Sequence, residues 1–149
     1  MPNWCKGTLR VKGKQKDIKR FVLEGLKPVD YFGNEKEPLR IHNSHVFSSD
    51  SCWIEGTKRG FIEDLDVYFD DEDEETICIG VESIFAQVID AEQLAELSKR
   101  YEVNFRIYGF ESGAKFNQDV EIVDGAVVKN EEIMFNDYVW DCICPNEGG

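Results

Sequence analysis

The succession of apolar patterns along the chain predicts an α+β fold, a split βαβ sandwich in which two helices cover one face of a mainly antiparallel sheet. Three observations carry that prediction. Two segments repeat apolar residues at helical spacing, several others alternate apolar and polar residues, and an Asp-Gly pair separates two of the alternating runs. The order strand, helix, strands, helix, strands then follows, with neither an internal repeat nor a linker to divide it. Residues 1–145 are expected to form one domain, with 146–149 as a flexible tail.

Thr8 to Val11, closed by Gly13, reads as a short first strand. Ile18, Phe21, Val22 and Leu26 line one face of a helix, and Pro28 stops it. Residues 29–38, with Gly33 and Asn34, lack periodicity and read as a surface loop. Strands are expected from Leu39 to Phe47 and from Cys52 to Glu55, before a turn at Gly56. Leu65, Val67 and Phe69 alternate with Asp64, Asp66, Tyr68 and Asp70, and Ile77, Ile79 and Val81 alternate with Cys78 and Gly80. Leu65 to Val81 therefore predicts a hairpin whose tip is the run Asp70, Asp71, Glu72, Asp73, Glu74 and Glu75. Asp90 and Gln93 have capping-box spacing, and Ala91, Leu94, Leu97 and Tyr101 form the apolar stripe of the helix that follows. Val103, Phe105 and Ile107 predict another strand. Val120 and Ile122 lead to Asp124-Gly125 and Val127, a hairpin with a type I′ turn. A final strand is expected from Ile133 to Ile143, interrupted near Asn136.

Charge is divided unevenly. Residues 1–60 hold 12 Lys and Arg against 7 Asp and Glu, and residues 61–149 hold 5 against 23, so the halves carry +5 and −18 and sum to −13. Such a field selects partners and governs encounter without dictating fold. It argues against gripping a nucleic-acid backbone with the whole surface. No stretch approaches the roughly 18 apolar residues of a membrane span, and the basic N-terminal stretch lacks the apolar core of an export signal. Five cysteines, an odd set, then point to reduced thiols in a cytoplasmic setting.

Several short stretches resemble the YubB-like family of phage- and plasmid-encoded proteins. They are Met1-Pro2-Asn3-Trp4-Cys5 leading to Gly13, Trp53 with Gly56-Thr57-Lys58, Leu97-Ser98-Lys99-Arg100-Tyr101, Phe110-Glu111-Ser112-Gly113 with Phe116, and Gly125 after a strand. The resemblance implies a ferredoxin-like domain, an origin in a mobile element and a host-cell setting, and it brings no assigned chemistry.

Two charged sets are candidates for binding. Asp64, Asp66, Asp70, Asp71, Glu72, Asp73, Glu74 and Glu75 present a row of carboxylates that a basic site on a host protein would accept, in the manner of a nucleic-acid mimic. Together with the resemblance, this gives the leading expectation: a non-enzymatic antagonist of a host defence or nucleic-acid-handling enzyme. The second set, Lys12, Lys14, Lys16, Lys19 and Arg20, continues a strip begun by Lys6 and Arg10, and it supports the alternative of a small nucleic-acid-binding module. That strip contains no aromatic residue on which a base would stack.

Metal and catalytic chemistry find less support. The acid run lacks the glycine and the alternation of a calcium loop. Cys142 and Cys144, with Cys5 or with His42 and His45, have the wrong spacing for zinc, so buried reduced thiols are the expectation and neither metal nor cofactor is called for. No Gly-x-Ser-x-Gly, Walker-type loop or His-Glu-x-x-His occurs, and His42 and His45 fall on opposite faces of their expected strand.

Overall fold

A computed structural model describes residues 3–137 and residue 140 of the chain. Eight strands form one antiparallel sheet, in the order β10-β9-β8-β1-β7-β5-β4-β2, and two more, β3 and β6, pair with each other beside it. The α+β class, with a mostly antiparallel sheet and two helices, is the one the sequence predicts.

At the centre lies β1 (Trp4–Lys14), longer than the four residues that signalled it. Its odd positions Cys5, Leu9 and Val11 are fully buried, whereas Lys6, Arg10 and Lys12 face outward. Gly7 is required among the buried positions because a Cβ there would lie 2.6 Å from the backbone oxygen of Tyr108. Helix α1 (Gln15–Gly25) follows at once and buries Ile18, Phe21 and Val22. It leads into β2 (Leu26–Pro28), a three-residue strand at the sheet margin, where a proline costs no ladder bond.

The strand expected from Leu39 to Phe47 shrinks to β3 (His45–Phe47). Asn43 and Ser44 take left-handed φ values of 50° and 65°, which turn the chain so that His42 and His45 exchange backbone hydrogen bonds. The two histidines therefore face one another across a turn, and do not share a strand. After β4 (Cys52–Ile54) and β5 (Gly60–Glu63) comes β6 (Asp66–Tyr68). The hairpin expected from Leu65 to Val81 does not form: β6 pairs with β3, and β7 (Thr76–Ala86) pairs along its full length with β1. Alternation had specified which face each strand buries, and that information does not name the neighbour.

Helix α2 (Ala91–Tyr101) starts where Asp90 accepts from the backbone N–H of Glu92 at 3.1 Å and of Gln93 at 3.3 Å. The Gln93 side chain accepts from the Lys58 N–H at 3.1 Å and so docks the loop before β5, in place of the expected return to the cap. Next come β8 (Asn104–Glu111), β9 (Phe116–Val123) and β10 (Ala126–Met134). The β9–β10 turn has Asp124 and Gly125 at φ 51° and 77°, as a type I′ turn demands. Of the final strand expected from Ile133 to Ile143, Ile133 and Met134 end β10 and Phe135 to Asp137 leave the sheet, while residues 138–139 and 141–149, with Cys142, Cys144 and the 146–149 tail, lie outside the described residues.

Both helices lie on one face of the sheet. Phe21 of α1 meets Tyr101 of α2 at 5.5 Å and Phe105 of β8 at 5.3 Å, both edge-to-face, at the centre of a continuous core that includes Leu9, Leu97, Ile107 and Val120. No described helix covers the opposite face.

Candidate functional site

The two charged sets singled out in the sequence turn out to bind each other in part, through Lys14, Lys16 and Lys19 on one side and Asp73 and Glu74 on the other. Residues 70–75 fold back over the start of α1, whose N-cap residue Lys14 supplies no side-chain cap. The exposed first-turn amides are satisfied by the loop backbone: Gln15 N–H donates to the Glu75 carbonyl at 2.8 Å and Lys16 N–H to that of Asp73 at 3.0 Å. Side chains complete the clasp. Glu74 receives Lys16 at 2.6 Å and Lys14 at 2.9 Å, and Lys19 reaches Asp73 at 2.8 Å. Asp70 accepts from the Gln15 side chain at 2.6 Å, which lowers its pKa together with a bond from the Glu72 amide. The two lysine bonds hold the Glu74 carboxyl down at about 2, and the same contact raises Lys16. Carboxylates at a helix N-terminus also meet the positive end of its dipole. This loop is thus a helix cap made of acids.

Arg20 is likewise engaged within the chain. Its guanidinium donates to the Arg100 carbonyl at 3.0 Å, at the end of α2, and lies 5.6 Å from the Tyr101 ring centre. Of the second set, Lys12 alone has no ion pair or hydrogen bond from its side chain among the described residues. In the first set, Asp66 bonds His45, whose ring stacks on Tyr68 at 4.1 Å. Asp64, Asp71, Glu72 and Glu75 stay without an ion pair among the described residues.

The face of the sheet with no helix over it among the described residues organises other residues, and Phe135, stacked on Phe110 at 5.8 Å, covers part of it. Strand register places one row straight across all eight strands: Lys27, Trp53, Phe61, Ile84, Lys6, Phe110, Asn117 and Ile133. Four residues further along β1, a second row runs Gly80, Arg10, Arg106, Glu121 and Lys129. Lys12 and Asn104 are paired beyond it, and Tyr108, 38% exposed, stands between the two rows. Counting outward side chains in register, this face carries seven cations (Lys6, Arg10, Lys12, Lys14, Lys27, Arg106, Lys129) and five carboxylates (Glu63, Glu82, Asp119, Glu121, Glu131). Lys14 and Lys27 among these cations are paired with Glu74 and Glu55, so the face is close to neutral on a chain of net charge −13. Lys129 holds Asp119 at 2.8 Å and Glu131 at 3.9 Å, whereas Lys6, Arg10, Lys12 and Arg106 have no ion pair among the described residues.

Arg10 and Arg106 are direct cross-strand partners, an arrangement that costs stability in a ladder. Aromatic side chains lie on the same face. Trp4 meets Phe61 at 6.1 Å, edge-to-face, with the Arg59 guanidinium 5.5 Å from the Trp4 ring centre. The Trp53 indole N–H donates to the Thr57 carbonyl at 3.1 Å, fixing its ring. The sequence reading placed Arg10 and Lys12 together but missed Arg106, Tyr108, Phe61 and Trp53 as their companions. Alternation marks Arg106 and Tyr108 as outward-facing, but only pairing across the sheet brings them onto one face with Trp53 and Phe61.

The thiols do not form a site among the described residues. Cys5 is fully buried and burial, with Glu111 adding to it, pushes its pKa up to about 12; Cys52 is buried and raised as well. No three His, Cys, Asp or Glu side chains among the described residues are placed to hold a metal ion. Comparison with protein families, with curated proteins and with solved structures finds no match to the chain.

Proposed function

We propose that this protein is a binding module whose helix-free sheet face receives the phosphate backbone of a nucleic acid. The observation that carries the proposal is the register-paired Arg10 and Arg106, with Lys6 and Lys12 on the same strand face as Arg10 and no carboxylate claiming these four by an ion pair among the described residues. Like charges placed opposite each other are unfavourable in the free protein, and phosphates between them would remove that cost. The acidic remainder of the surface repels nucleic acid, so approach is productive only toward this face. In the same reading, the central order β8-β1-β7-β5, with α1 leaving β1 and α2 joining β7 to β8, supports a ferredoxin-like centre. The chain departs from that plan after α1, where it runs to β2 at the far margin and returns through β4 and β5.

The test is fluorescence anisotropy with labelled nucleic acid at ~50 mM salt, where phosphate contacts are strongest. Reversing both charges, Arg10→Glu with Arg106→Glu, is expected to abolish binding, whereas Lys16→Glu on the clasp leaves it nearly unchanged. Absence of binding by the unmodified protein to any strand, single or double, would end this reading.

A second reading keeps the acidic side as a surface for a basic host protein, supported by the exposed Asp64, Asp71, Glu72 and Glu75. It requires partners captured from host lysate to be lost on charge reversal at those four positions. The internal pairing of Asp70, Asp73 and Glu74 makes it the weaker of the two.

A further inference from the structure

Resting on the reading of the face as a nucleic-acid surface, we infer that the strand it takes is single, and that unpaired bases stack on Trp53 and Phe61, with Trp4, itself covered by Arg59, buttressing Phe61. Trp53 and Phe61 are direct partners across β4 and β5, and Phe61 packs against Trp4 at 6.1 Å, so the three rings form one contiguous surface. All three are half-buried: their edges are held by the sheet, and no helix lies over them among the described residues. The Trp53 hydrogen bond to Thr57 and the guanidinium of Arg59 over Trp4 keep two of the rings in place before any ligand arrives. Stacking on a fixed ring loses little conformational freedom.

Shape keeps the bases of a duplex from the rings. Eight strands at about 4.8 Å spacing make a face roughly 38 Å across, far wider than the ~12 Å major groove of B-form DNA. Rings set level with such a face cannot enter a groove, and the bases of a duplex have their flat faces covered by their neighbours. A single strand can turn its bases onto the rings while its phosphates reach the guanidinium row, about 13 Å further along β1 from Lys6 to Arg10. Lys6 lies in the same cross-strand row as Trp53 and Phe61, which places a cation beside the rings as well.

The experiment compares three probes of equal length at ~50 mM salt: labelled oligothymidylate, the matching duplex, and an abasic phosphodeoxyribose strand. Oligothymidylate is expected to bind at least about tenfold more tightly than either of the others, with Trp53→Ala and Phe61→Ala each removing about tenfold of that affinity. Trp53→Phe keeps a flat ring and retains most of the binding, which separates stacking from a general loss of fold, as does an unchanged far-ultraviolet circular dichroism spectrum. Equal binding of all three probes would overturn the stacking inference and leave the phosphate-binding face intact. Failure of every probe to bind would overturn both.

Discussion

Arg10 and Arg106 should repel each other, and that repulsion can be measured. Antiparallel register sets them directly opposite, on a face where neither has an ion pair among the described residues. A cross-strand pair is worth about 0.2–1 kcal/mol, with a positive sign of energy for like charges. Arg10→Gln keeps an unbranched polar side chain, shorter than that of arginine, and removes its charge. Gly80 on its other flank offers no competing charge, while Glu82, one step further along β7, loses a diagonal attraction. The two changes offset each other, so Arg10→Gln is expected to leave stability within about 0.5 kcal/mol of the parent, as for a surface substitution. Arg106→Gln differs because Arg106 also faces Glu121 across β9, so this change removes a favourable neighbour along with the unfavourable one. A double-mutant cycle of Arg10→Gln and Arg106→Gln, read by urea denaturation, isolates the pair term. Its expected value is a repulsion of about 0.2–1 kcal/mol, shrinking in high salt. On the binding side, each single change should lower the slope of log affinity against log salt by about one. An attractive coupling, or a loss of more than about 1 kcal/mol in Arg10→Gln, would refute the claim that this pair is tolerated for binding and contributes nothing to the fold.

Acid should loosen the clasp over α1. Because the folded Glu74 carboxyl is held at about 2, below its ordinary 4.5, the stabilisation it gives is complete above the higher value and fades as pH falls toward the lower; Glu74→Gln should flatten stability against pH in that window, measured by chemical denaturation. Replacing the α2 cap, Asp90→Ala, is expected to cost about 1 kcal/mol in urea denaturation, and an unchanged midpoint would mean that water serves the Glu92 and Gln93 amides equally well. Truncating Phe21, which is 1% exposed between two aromatic neighbours, should cost about 3–5 kcal/mol and shift thermal unfolding accordingly. Alkylation of the native protein followed by peptide mass spectrometry should label exposed Cys78 and spare Cys5 and Cys52, since a buried thiol held up to about 12, as Cys5 is, forms no thiolate at neutral pH.

What the sequence made legible was local. Helical spacing, the Asp90 cap and the Asp124-Gly125 turn each act within a few residues, and all three recur in the structure. Alternation likewise gave the correct buried face of β6, β7 and β8. It did not give partners. Leu65 to Phe69 and Ile77 to Val81 look like two arms of one hairpin because they are near in sequence, yet β6 pairs with β3 and β7 with β1. The same limit governed the charged residues. Lys14, Lys16 and Lys19 meet Asp73 and Glu74 across a sequence gap of more than fifty residues, so one stretch seemed a free cationic strip and the other a free acidic tip. The cross-strand row containing Trp53, Phe61 and Lys6 takes one residue from each of eight strands, and no single stretch of sequence shows it.

The central position of β1 has a consequence for how the protein is made. In the sheet β1 is flanked by β7 and β8, which end at Ala86 and Glu111. Until those segments are synthesised, its Leu9 and Val11 have no sheet to join, and α1 lacks the loop that completes its first turn. The sheet therefore cannot close around β1 until residues 76–111 have been made, and a chain stalled before β7 leaves the buried face of β1 uncovered and both its edges unpaired, with Lys6, Arg10, Lys12 and Lys14 as the charges that discourage pairing with another unfinished copy.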